Sequence, residues 1–155
     1  MNSANQRMTV AHHLELGKHG EELAAAYLQR EGYRIVAANL VIPIGRNRIG
    51  AVISVEIDLV AYDGTTLCFI EVKSRSSDWF AKPQANVDRR KQRQIARAAL
   101  AYRRMFDLGG EPYRFDVVTV VMQDQEASGP EIHLLRNYWT ERSFRKQSWS
   151  THYYD

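Results

Sequence analysis

A chain of 155 residues, 45% hydrophobic and 25% charged, is sized for one domain with a real core. No apolar run nears the ~20 residues that span a bilayer, the first twenty residues lack the apolar stretch of a secretory signal, and the single cysteine, Cys68, excludes an internal disulfide. A cytoplasmic protein is expected, and the net charge of +3 says less than its distribution: from Lys73 to Arg97 eight Lys or Arg stand against two acids, Asp78 and Asp88. A basic field of that kind suits a polyanion, although a solvated helix face gives the same pattern.

Residues 1–10 are polar and unpatterned and read as a disordered lead-in. A helical period runs from Ala11 to Glu31 and stops at Gly32, a residue suited to the left-handed position after a helix. Leu16, Leu23, Ala24, Tyr27 and Leu28 gather on its apolar side, and Glu22 falls opposite, toward solvent. Glu21 falls at the rim of the apolar stripe. There a carboxylate either bends out to water or reaches into an adjoining sheet.

Tyr33 to Ile42 reads as a strand, and Pro43 to Ala51 as a loop or an extended hairpin tip that offers Arg46 and Arg48 to phosphate. The next stretch, from Ser54 to Arg75, organises the rest. Two apolar runs flank Asp63-Gly64, which reads as a tight hairpin turn. In the second run Leu67, Phe69, Glu71 and Lys73 share one face, while Cys68, Ile70 and Val72 share the other. Both faces begin apolar, so this is expected to be a central strand with two charges set on a covered face. Cys68 reads as core packing, since no histidine neighbours it in sequence. In the first run Glu56 and Asp58 point the same way. Burying carboxylates is costly unless they are paired or hold a metal.

The polar loop over 74–86 carries Arg75, Trp79-Phe80 and Lys82-Pro83; its aromatics either stack on bases or pin the loop to the core. A second helix is expected from Asn86 or Asp88 to Phe106. Val87, Ile95, Ala98, Tyr102 and Met105 form its apolar stripe, and Arg93 and Arg97 lie among the arginines opposite. Lys91 sits inside the stripe, where it either snorkels or reaches buried carboxylates. Tyr113 to Met122 and Glu131 to Leu135 read as strands, and 137–155 as an irregular aromatic and basic tail. The expected unit is therefore a single domain over 11–136, in the order helix, three strands, helix, one or two strands.

Asp58 and Glu71, converging from paired strands, supply hard oxygen ligands suited to Mg²⁺ or Mn²⁺, and Lys73 on the same face can hold an attacking water or a phosphate. The five histidines and Cys68 show no zinc spacing, and there is no P-loop, nucleophile elbow or dinucleotide fingerprint. An aspartate, a turn and Glu71-Val72-Lys73 behind a helix resemble the PD-(D/E)XK nuclease superfamily. More closely, the chain is similar to the YraN-like family, related to Holliday-junction resolvases. The matching residues are Gly20-Glu21, Ala24, Leu28, Gly32-Tyr33, Asn39, Glu56-Ile57-Asp58-Leu59 and Phe69-Ile70-Glu71-Val72-Lys73-Ser74-Arg75. Pro83, Val87, Lys91, Ala98-Ala99 and Arg114-Phe115-Asp116-Val117-Val118 continue the match, which spans roughly 13–122.

The resemblance implies an α/β, restriction-endonuclease-like core, a mixed central sheet flanked by helices in the order αβββαβ with a further strand. It also implies a metal-dependent endonuclease acting on DNA, with branched or repair intermediates as its substrate class, and a two-fold homodimer. Asp58 and Glu71 would bind Mg²⁺ or Mn²⁺, Glu21 would complete the site from the helix, and Lys73 would be the catalytic lysine. Glu56 is ranked below Asp58, as an orienting or edge residue. Arg46, Arg48, Arg75, Lys82, Lys91, Arg93 and Arg97 are the expected nucleic-acid contacts. The alternative is a non-catalytic nucleic-acid-binding module on the same fold. Two departures from the family pattern are Val55, where glycine is usual, and a longer connection through residues 43–54.

Overall fold

Gly32 shows how locally the chain is punctuated. It takes φ 91°, its amide bonds to the Gln29 carbonyl, and the Tyr33 amide bonds back to Leu28 at 2.9 Å. That pair of bonds stops the first helix and turns the chain into the first strand, while Tyr33 and Leu28 pack in one cluster. The computed structural model describes residues 3–76, 87–123 and 128–144. In chain order these form α1 (Ser3–Arg30), β1 (Arg34–Arg46), β2 (Val52–Asp63), β3 (Thr66–Ser76), α2 (Arg89–Met105), β4 (Tyr113–Met122) and β5 (Glu131–Trp139).

The strands form one sheet in the order β1-β2-β3-β4-β5, antiparallel except for the parallel β3–β4 pair. The helices cover opposite faces. On one, Ala24 and Leu28 of α1 pack on Leu59, Ala61, Cys68, Ile70, Val118 and Val120. On the other, Ile95, Ala98 and Ala99 of α2 pack on Val60, Leu67, Phe69, Phe115 and Val117. β3 and β4 are thus apolar on both sides, as buried central strands must be. Cys68 is fully buried, and burial pushes its thiol up to about 12, so it packs rather than reacts. The architecture is the expected α/β one, a mixed sheet with helices on both faces.

Several boundaries differ from expectation. α1 begins at Ser3 and takes in most of the presumed lead-in; nothing between Ser3 and Val10 is a glycine or proline, so an unpatterned stretch still continues the helix. β1 runs past Ile42 to Arg46, so of the loop and the extended hairpin tip expected over residues 43–51 the structure has the hairpin. The turn between β2 and β3 is Gly64-Thr65, with Gly64 at φ 59° and Asp63 paired to Thr66. β5 reaches Trp139, which buries itself by stacking on Phe115 at 5.0 Å and so draws the start of the supposed tail into the sheet. Met105 is 64% exposed, because α2 ends there and the sheet no longer lies beneath it. Residues 77–86 and 145–155 lie outside the described residues, and with them Trp79, Phe80, Lys82 and most of the tail.

Candidate functional site

β2 and β3 pair regularly from Asp63–Thr66 to Leu59–Ile70 and then stop. The next pair in that register would be Asp58 with Glu71. Instead, Asp58 Oδ2 accepts the Val72 amide at 2.8 Å, a side chain standing in for a ladder carbonyl. Past this point β2 rotates. Alternation would group Ile57 with Leu59, yet Ile57 and Val55 join the α2-side cluster. The rotation carries the β1–β2 hairpin over α2, where Arg97 donates to the Ile44 carbonyl at 2.9 Å. It also turns Glu56 and Asp58 toward α1.

α1 meets them because Gly20 lets it approach β3 closely. A Cβ at Gly20 would lie 2.9 Å from Ser74 Cβ and collide with its Oγ. The next residue, Glu21, therefore leans over the opened edge. One carboxylate oxygen each from Glu21, Glu56 and Asp58 lies within 4.8 Å of the others. Burial raises the Glu21 carboxyl above its ordinary value, Glu56 and Glu71 add to the rise, and a hydrogen bond from Asn39 opposes it. Asn39 takes φ 49°, which asparagine tolerates better than most residues.

Glu71 stands beside that group on β3, near enough for its charge to raise the Asp58 and Glu21 carboxyls, but outside the set whose oxygens lie within 4.8 Å of one another. Its side chain is 5% exposed; Oε1 receives Lys73 Nζ at 3.2 Å and Lys91 Nζ at 3.9 Å. Its Oε2 is buried with no hydrogen-bond partner. Asp58, half-buried between these acids, has its carboxyl pushed up to about 7, first by desolvation and then by Glu71. The Val72 amide and Lys91 pull the other way. Four carboxylates thus face two ammonium groups, an excess of two negative charges if all are ionised. An orphaned buried oxygen beside an all-oxygen donor set fits a hard divalent cation such as Mg²⁺ or Mn²⁺. The residues that would hold it are Asp58, Glu71, Glu21 and Glu56.

Of the residues the sequence singled out, the structure brings Glu21 and Asp58 together with Glu56, and sets Glu71 against Lys73 and Lys91. Glu56 is promoted from edge residue to equal member, because α1 brings Glu21 against both Glu56 and Asp58. Lys91 reaches the carboxylates rather than snorkelling, and its own amide is fixed by the cap residue Asp88 at 2.8 Å. The expected nucleic-acid contacts separate. Arg46 donates to the Gly50 carbonyl at 2.7 Å and Arg97 to Ile44, so both brace the hairpin. Arg93 lies over the Phe144 ring at 5.6 Å, Arg48 is exposed at the hairpin tip, and Arg75 is half-buried at the end of β3.

A second charged network was missed in the sequence. Asp116 is fully buried and accepts Arg114 Nε at 2.9 Å and the Asn137 amide at 2.8 Å. Arg114 also reaches Asp63 and the Tyr33 hydroxyl, each at 2.7 Å. The visible signal was Arg114 and Asp116 on one face of an otherwise β-branched strand. Arg136 Nε lies 3.9 Å from Asp63 Oδ2, so two guanidiniums face two carboxylates and the network, balanced in charge, holds the fold together.

An α/β sheet with a helix on each face, split at a strand edge that carries acids and a lysine, is compatible with the restriction-endonuclease-like class of core. Residues 20–120 match the model of "Uncharacterised protein family UPF0102", and the chain belongs to that family. It is 38% identical to a UPF0102 protein of Desulfosudis oleivorans over 79% of this chain and 88% of that one. The UPF0102 protein of Syntrophus aciditrophicus is 41% identical over 84% and 91%, and that of Chlorobium chlorochromatii 42% over 83% and 94%. The whole site from Gly20 to Lys91 lies inside the matched span.

Proposed function

We propose that this chain is a metal-dependent endonuclease that hydrolyses phosphodiester bonds in DNA, with branched or repair-intermediate DNA as its substrate class. The observation that carries the reading is the buried, unpartnered Glu71 Oε2 beside a group of acids, Glu21, Glu56 and Asp58, whose crowding raises the Asp58 and Glu21 carboxyls. A structural ion network would be expected to balance its charges, as Arg114 and Arg136 do against Asp63 and Asp116. When bound, Mg²⁺ or Mn²⁺ would supply Lewis-acid polarisation of the phosphate and help deprotonate water.

The chain's own residues set up the rest. Asp58, anchored by the Val72 amide, and Glu71, anchored by two lysines, hold fixed positions before substrate arrives. Lys73 Nζ donates to whatever anion sits beside Glu71 and offsets charge that develops on the phosphate oxygens. Glu21 and Glu56 close the site from the α1 side and leave the phosphate a single approach. Hydrolysis then adds water across one P–O bond, releasing a phosphomonoester and a hydroxyl end.

The test is incubation of purified protein with nicked, four-way-branched, duplex and single-stranded DNA, with Mg²⁺, Mn²⁺ or chelator. Cleavage that needs the metal and disappears in Asp58→Ala supports the reading. No product from the wild type with any substrate, or equal product from Asp58→Ala, overturns it. Binding without cleavage would favour a non-catalytic module on the same fold.

A further inference from the structure

The end of the β1–β2 hairpin is built to hold one apolar side chain out in water. Arg46 pairs with Val52 across the strands. Within the turn, Asn47 N donates to Ala51 O at 2.9 Å and Gly50 N to Asn47 O at 3.0 Å. Asn47 Oδ1 accepts the amides of Ile49 at 3.1 Å and Ala51 at 2.9 Å, and Arg46 Nη1 closes the loop onto Gly50 O at 2.7 Å. This bracing is far denser than a simple chain reversal requires. Its product is Ile49, 89% exposed and outside both cores, with Val52 at 54% behind it.

The charges around Ile49 have one sign. Residues 43–55 contain Arg46 and Arg48 and no acid. The stem continues that field, because Arg97 of α2 is tied to Ile44, and Arg89, Arg90 and Arg93 lie exposed on the same helix. β2 connects the tip directly to the acidic cluster: Val52 and Asp58 are six residues apart, roughly 20 Å along an extended strand. A rigid apolar tip, basic flanks and a fixed distance to a phosphate-cleaving site match the device by which proteins open a base step, an apolar wedge set between phosphate contacts.

We infer that the β1–β2 hairpin is a DNA wedge: Ile49 enters an unstacked or unpaired step of a branched or nicked duplex while Arg48 holds the adjacent phosphate. This rests on the DNA reading of the acidic site but concerns substrate choice and not hydrolysis. A fixed tip loses no further conformational freedom when it inserts, and a step that is already open lowers the unstacking cost. The hairpin therefore selects branched over intact duplex DNA.

The experiment uses full-length protein, a four-way junction carrying 2-aminopurine at its branch, and the same label in intact duplex. Wild type is expected to raise junction fluorescence severalfold on binding and to prefer junction over duplex. Ile49→Ser is expected to abolish the fluorescence rise and cut the junction preference by about tenfold, while duplex affinity stays within about twofold. Ile49→Leu should retain both, and an unchanged melting temperature in each variant shows that the fold is intact. If Ile49→Ser keeps the fluorescence rise and the preference, the wedge is wrong and the nuclease reading stands. If wild type and Ile49→Leu insert but no DNA is cut, the wedge stands and the nuclease reading falls. If the wild type binds no DNA even at low salt, both fall.

Discussion

Asp58 Oδ2 accepts the Val72 amide at 2.8 Å, where the β2–β3 ladder would otherwise continue through Asp58 and Glu71. One carboxylate thus ends a strand pairing, satisfies the amide that the break exposes, and keeps its other oxygen for the acidic cluster. The position couples fold to chemistry.

That coupling sets a pH dependence. The Asp58 carboxyl rises from 3.8 to about 7, chiefly through burial. Between those values the unfolded chain is ionised and the folded one is not. The contribution is therefore fully present below about 4 and lost as pH rises through about 7. Metal-free protein should lose on the order of a few kcal/mol between pH 5 and 8. Asp58→Asn keeps an acceptor for Val72 and should flatten the curve, melting above the wild type at pH 8. Melting curves for the two proteins that stay parallel across this range would contradict it.

Lys73 and Lys91 share Glu71 Oε1 but at 3.2 and 3.9 Å. Lys73→Met should lower the single-turnover cleavage rate by about 10²–10³, the usual cost of losing one charge-stabilising donor, with little change in DNA affinity. Lys91→Met should cost less, and the double variant should fall short of the summed losses because both act through one carboxylate. Additive losses, measured in the same assay, would show that the lysines work separately.

Gly20 against Ser74 can be tested by a reversal. Alanine in a helix interior is favoured over glycine by about 1 kcal/mol, but here a Cβ would meet Ser74 Cβ at 2.9 Å. Gly20→Ala is expected to destabilise by about 1–3 kcal/mol and to weaken metal binding, because α1 must lift Glu21 away. Adding Ser74→Gly removes the obstructing atoms and should restore metal affinity. A Gly20→Ala variant that melts higher and binds metal normally would contradict the close approach.

Asp116 provides the contrast. It is fully buried on Arg114 and the Asn137 amide, in register with Ile70 and one step along β4 from the partner of Glu71, yet it shares no hydrogen bond with the acidic cluster among the described residues. Asp116→Ala should cost about 1–3 kcal/mol in chemical denaturation, because it removes one of the two carboxylates on Arg114 and leaves the Asn137 amide without its acceptor. Mn²⁺ affinity at temperatures where the variant stays folded should be unchanged. A specific loss of metal binding would tie the two networks together.

The fold was legible wherever a period or a punctuating residue carried it. The apolar stripe around Ala24 and Leu28, the two covered faces of β3 and the stop at Gly32 are all local signals. Asp58, Glu71 and Lys73 stood out because charges interrupt an apolar pattern. What stayed hidden depends on geometry between elements. Alternation already set Glu56 on the face of Asp58, but it could not show that α1 brings Glu21 against both, which is what makes Glu56 a member of the group. The partner of Lys91 became visible only when α2 was seated on β3. Trp139 joins the sheet by stacking on Phe115, a non-local contact that an aromatic but aperiodic stretch does not announce. Two of the arginines expected to meet phosphate, Arg46 and Arg97, also brace the hairpin, since sequence gives a charge but not its neighbour.

The most direct measurement is Mn²⁺ binding followed by electron paramagnetic resonance, titrating wild type and Asp58→Ala at pH 8. The Glu21, Glu56 and Asp58 group, with Glu71 beside it, predicts saturable binding in the wild type that Asp58→Ala weakens at least tenfold, equivalent to about 1.4 kcal/mol. Binding that is absent in the wild type, or equal in both proteins, would contradict it.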